Sequence, residues 1–116
     1  MKLSTLFVLL AALALSAFNT QPHASEVLPQ PVIYAAHCII IFSVGEEKKV
    51  APPNSRGRSG HEIGQFYARI VSPYDGLGHL EAMAEKYTPI YMGLPNAEIR
   101  ERAQGCIDHM IRQQLQ

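Results

Sequence analysis

His37-Cys38-Ile39-Ile40-Ile41-Phe42 is the stretch on which the fold turns. It is the densest apolar run after the N-terminal segment and carries one of only two cysteines. Isoleucine is β-branched and suits a buried strand, but the apolar stretch around the three isoleucines runs from Val32 to Val44, 13 residues, longer than a typical strand. Length predicts a helix, over Val32 to about Lys48. Apolar on nearly every side, such a helix belongs at the centre of its domain. The alternative is an α+β fold with residues 32–44 as a strand. Pro31 suits the first helical position, with Gln30 extended before it.

Upstream, Lys2 precedes an uncharged run from Leu3 to Ala17 dominated by Leu and Ala. A short positive start followed by an apolar run is the pattern of a secretory signal peptide, and the run falls short of the roughly 20 apolar residues of a membrane span. Residues 1–17 are therefore expected to be removed, with a cut after Ala17 preferred to one after Ala24, where Pro22 would occupy the sensitive upstream position. The mature protein should then be periplasmic or secreted and hold no membrane span. Residues 18–30, mixed in character and containing Pro22 and Pro29, read as a flexible leader. Residues 31–116 form a single domain.

Lys2 leaves with the signal, so nine basic residues face ten acidic ones in the remaining 99. This near-neutrality argues against nucleic acid or an anionic membrane as the main partner. A domain this small also gains much from a cross-link, because its core alone gives modest stability.

Downstream of the apolar stretch, Pro52-Pro53-Asn54-Ser55 breaks the chain into a long loop. Ser59-Gly60-His61-Glu62 matches a capping box, and Ile63, Phe66, Tyr67, Ile70 and Val71 follow at one-face helical spacing until Ser72-Pro73. Tyr74-Asp75-Gly76-Leu77-Gly78 reads as a hinge, then a helix from about Leu77 to Thr88, then an irregular Ile90–Leu94 after Pro89. Pro95 suits the start of a last helix, in which Ile99, Ala103, Cys106, Ile107, Met110 and Ile111 form one apolar stripe. The expected fold is an all-α, four-helix bundle-like domain.

Cys38 and Cys106 both fall on inward faces of an exported chain, which favours a disulfide joining the first and last helices. The rival is a metal or thiol site built from His37, Cys38, Cys106 and His109. Adjacent helical residues point about 100° apart, however, so His37 and Cys38 do not converge on one ion. His61-Glu62-Ile63-Gly64-Gln65 has Gln65 where a zinc hydrolase helix has its second histidine. No nucleophile elbow or phosphate loop is present in the sequence, and no cofactor or metal ligand set is expected. Arg56 and Arg58 on the long loop, and Tyr74 with Tyr87, Tyr91, Met83 and Met92, are the candidate partner contacts.

The layout resembles a loose group of small bacterial periplasmic helical proteins with one cysteine near each end of the fold, including acid-stress chaperones and immunity proteins that neutralise secreted antibacterial effectors. The resemblance covers the plan of the chain, matches no residue pattern and transfers no site residue. The sequence thus points to a non-catalytic protein that binds another protein. A small metal-binding or thiol enzyme and an acid-stress chaperone are the alternatives.

Overall fold

The computed structural model describes residues 28–76 and 78–116. Residues 1–17, read as a signal peptide, and most of residues 18–30, read as a leader, lie outside this range, as does Leu77. Four α-helices make up the described chain: α1 (Gln30–Glu47), α2 (Gly60–Val71), α3 (His79–Met92) and α4 (Asn96–Gln114), with a short 3-10 turn, Ser72–Tyr74, after α2. The 32–44 stretch is helical, as its length predicts, and among the described residues no strand occurs.

The described residues begin at Leu28, within the stretch read as a leader. Leu28 is buried in the core and Pro29 caps α1, so that helix starts at Gln30 rather than after it. Pro31 at the second helical position loses nothing, since first-turn N–H groups have no intrahelical acceptor. The far end of α1 closes in a Schellman motif: Lys49 N–H donates to the Glu46 carbonyl and Val50 N–H to the Gly45 carbonyl. Lys49 takes the left-handed conformation this requires, at φ 55°. That conformation costs an L-residue about 1 kcal/mol that glycine avoids. Lys49→Gly is therefore expected to stabilise the fold by up to about 1 kcal/mol, read as a rise in the urea midpoint at unchanged slope.

Helix α2 starts with the capping box read from the sequence: Glu62 N–H donates to Ser59 Oγ at 3.0 Å and Ser59 N–H donates to the Glu62 carboxylate at 3.1 Å. Helix α3 departs from expectation. It runs through Pro89 to Met92 instead of ending near Thr88. Pro89 removes only the N–H that would serve the carbonyl of exposed Glu85, which water can serve. The continued helix carries Tyr91 into the core. In α4 all six residues of the predicted stripe are buried. Pro95 stands one place before its expected position, as the N-cap rather than the first helical residue.

Helix α1 is the hub and packs against α2, α3 and α4, whereas α2 and α4 touch each other little. It feeds both core clusters. Val32, Ala35 and Cys38 meet Tyr67 and Val71 of α2 and Ile107 and Met110 of α4; Ile40, Ile41 and Val44 meet Tyr91 of α3 and Ile99 and Ala103 of α4. Helices α1 and α4 are antiparallel: the Tyr34 and His109 rings meet, Cys38 bonds Cys106, and Ile99 lies 3.7 Å from where a side chain on Gly45 would begin. The disulfide crosses the middle of this pair, with Cα atoms 5.9 Å apart. Among the described residues no helix is long and apolar enough to cross a membrane.

Candidate functional site

The gap between α2 and α4 is a cleft of about 670 Å³, within the range of ligand pockets. Its floor is the face of α1 bearing Ile39, Phe42 and Glu46; its walls are Ile63, Tyr67 and Ala68 of α2 and Ile99, Ala103 and Ile107 of α4. Space persists because α2 presents Gly60, Gly64 and Ala68 along one row, and a side chain added at either glycine would meet nothing within 4 Å. The glycine row was legible in the sequence as residues four apart on one helix face. The gap it leaves depends on the splay of α2 from α4, which no local pattern encodes.

The remaining side is the loop after α1, which acts as a strap along α4. Arg100 Nε donates to the Pro52 carbonyl at 3.3 Å; Asn54 N–H donates to Gln104 Oε1 at 2.8 Å, and Gln104 Nε2 returns a bond to the Asn54 carbonyl at 2.9 Å. Arg56 pairs with Asp108 at 3.1 Å, and the Arg58 guanidinium donates twice to Gln114 Oε1, at 3.2 and 3.0 Å. Residues two apart on the strap thus meet Arg100, Gln104 and Asp108, four apart on α4. Two residues of extended chain rise about 6.6 Å and one helical turn about 5.4 Å, so the steps nearly match. A turn ends the strap: Arg58 N–H donates to the Ser55 carbonyl, with Arg56 and Gly57 at φ 53° and 84°. The Asn54 side chain accepts the Arg56 N–H at 2.9 Å and holds Arg56 in that conformation. Hydrogen bonds from Arg56 and then Gln104 hold the exposed Asp108 carboxyl below its ordinary pKa.

The sequence-predicted contacts are not gathered on one surface. Arg56 and Arg58 fasten the strap, Arg58 also lining the cleft, while Tyr74 packs half-buried against the core outside it. Tyr91 is buried and Tyr87 packs edge-on against His37, so of the aromatic and methionine set Met92 is the exposed large hydrophobic. Cys38 and Cys106 are joined and buried, and neither is free as a thiolate. His37 and His109 stand apart on different tyrosines. Among the described residues no cluster of three or more His, Cys, Asp or Glu side chains is placed to hold a metal ion.

Both histidines are built into aromatic contacts. His37 Nδ1 lies 2.6 Å from Tyr91 Oη, and its ring meets Tyr87 edge-on at 4.4 Å. His109 lies against Tyr34 at 4.5 Å. Burial pushes each imidazole below the ordinary value of 6.5, aided by the cation Arg102 for His37 and Arg112 for His109. The folded protein therefore binds protons less readily than the unfolded chain, and stability present above pH about 6.5 is lost as pH falls through the unfolded value toward the lower folded one. A melting temperature that declines between about pH 7 and 5 is expected, with a flatter decline in His37→Gln and His109→Gln. Parallel profiles for wild type and variants would contradict this assignment.

Comparison with protein-family models, with curated proteins and with solved structures finds no match to this chain.

Proposed function

We propose that this is an exported, disulfide-stapled helical protein, working in the periplasm or outside the cell, that acts by binding another polypeptide and not by catalysis. The observation that carries the reading is the cleft: an apolar depression with exposed Gly60 and Gly64 on its lip, where the missing side chains allow a partner to approach the α2 backbone closely. The leader-like N-terminal run and the disulfide together support export, because such cross-links persist in oxidising compartments. With both cysteines in the cross-link, the chemistry of a thiol nucleophile has no group to use.

A photo-crosslinking residue placed at Gly64, compared with one at exposed Ile90 on α3, tests the reading in cells. A covalent adduct with another polypeptide from position 64 and none from position 90 is the expected result. Equal adducts from both positions, or none from 64, would overturn it.

A second reading, a chaperone that opens in acid, draws on the His37–Tyr91 contact between α1 and α3, since burial and the nearby Arg102 both oppose a charge on His37 there. Suppression of client aggregation at low but not at neutral pH is its test.

A further inference from the structure

We infer that the cleft takes an amphipathic helix of the partner whose apolar face enters the gap and whose ends carry carboxylates, an inference that rests on the protein-binding reading above. The argument is charge complementarity at the cleft margin. Arg58 and Arg100 both line the cleft, and each donates to neutral oxygens: Arg58 to Gln114 Oε1 and the Arg56 carbonyl, Arg100 to the Pro52 carbonyl. Arg56 and Arg102 nearby differ, pairing with the carboxylates of Asp108 and Glu98 at 3.1 and 2.8 Å. Two cations with no carboxylate partner among the described residues thus border an apolar space to which Glu46 brings the lone carboxylate of the lining.

Their placement sets the size of the occupant. Arg100 stands on α4 itself and Arg58 is anchored at Gln114, fourteen residues further along. At 1.5 Å per residue that separation is about 21 Å, of which the cleft wall from Ile99 to Ile107 takes about 12 Å, so a partner helix of about four turns fills the cleft and runs past its end to reach both arginines. Planar guanidinium forks already held by neutral oxygens lose little side-chain freedom on meeting a carboxylate. The glycine row along α2 lets the partner backbone sit close, and the apolar floor takes its buried side chains, the helix-in-groove mode of recognition.

The test uses the purified protein and fluorescently labelled synthetic peptides of about four turns, with leucine and alanine on one face and glutamine on the other. One peptide ends in glutamates, a second in lysines. Anisotropy at low salt should show the glutamate peptide binding about ten-fold tighter than the lysine peptide, a preference lost in Arg58→Gln/Arg100→Gln and reversed in Arg58→Glu/Arg100→Glu. Gly64→Trp, which projects into open space, should weaken both peptides about ten-fold or more while leaving far-UV circular dichroism unchanged.

Equal binding of both peptides that Gly64→Trp still abolishes would overturn the acidic-helix inference and leave the cleft as a protein-binding surface. Binding indifferent to Gly64→Trp would overturn both. Tight binding of dodecanoate with no binding of either peptide would assign the cleft to small amphiphiles and overturn both as well.

Discussion

Replacing Cys38 and Cys106 together with alanine is expected to lower stability by about 4 kcal/mol, the loop-closure entropy that a cross-link spanning 68 residues removes from the unfolded chain. For a domain of this length the melting temperature should fall by on the order of 20 °C. A whole domain is worth only about 5 to 15 kcal/mol, so the loss takes a large share of the total. Alanine is the better replacement because both sites are buried, and serine would add an unsatisfied hydroxyl to the entropic loss. Wild-type protein melted with and without a reductant gives the same comparison without mutation. Coincident transitions would mean that the bond adds nothing to the packing of α1 on α4.

Tyr67→Ala is expected to cost about 3 to 5 kcal/mol, the range for emptying a large aromatic site in a core. Tyr67 has no exposed surface, its ring meets Phe66 edge-on at 4.9 Å and lies near Phe42 and Tyr34, and its hydroxyl donates to the Cys106 carbonyl. Burial first, then the neighbouring Tyr34, pushes the phenol pKa well up, so it remains a donor at every physiological pH. Tyr67→Phe keeps the ring and loses one hydrogen bond, a loss of about 1 kcal/mol. Urea melts of the two variants separate packing from hydrogen bonding; equal losses would show that the hydroxyl, and not the ring, holds α2 to the rest. Because Tyr67 lies fully buried behind the cleft lining, Tyr67→Phe, which keeps the ring, is the variant to use when binding is measured.

The helices are legible in patterns that are local in the chain. The α4 stripe and the Ser59–Glu62 cap depend on residues within a few turns of one another, and both stand as read. Cys38 and Cys106 could be paired because each lies on an inward face and there are only two. What stayed hidden is set by how helices lie against each other. His37, read as a metal-ligand candidate, is held by Tyr91 some 54 positions away. Arg56 and Arg58, candidate partner contacts on the long loop, are also bonded to Asp108 and Gln114 of α4. Pro89 reads as the end of α3, since a sequence shows the lost N–H but not that Glu85, whose carbonyl it would serve, is exposed.

The match between strap and helix has a consequence for insertions and deletions in the gene. A single residue added between Pro52 and Arg56 would turn every second strap residue away from α4, because neighbouring residues of an extended chain face opposite ways. Two residues added or removed would preserve that alternation and slide the strap by about one helical turn, offering Asn54 and Arg56 a new row of the same helix face. Length variation in this loop should therefore be accepted in pairs. The four-residue repeat of Arg100, Gln104 and Asp108 is the ruler that counts them.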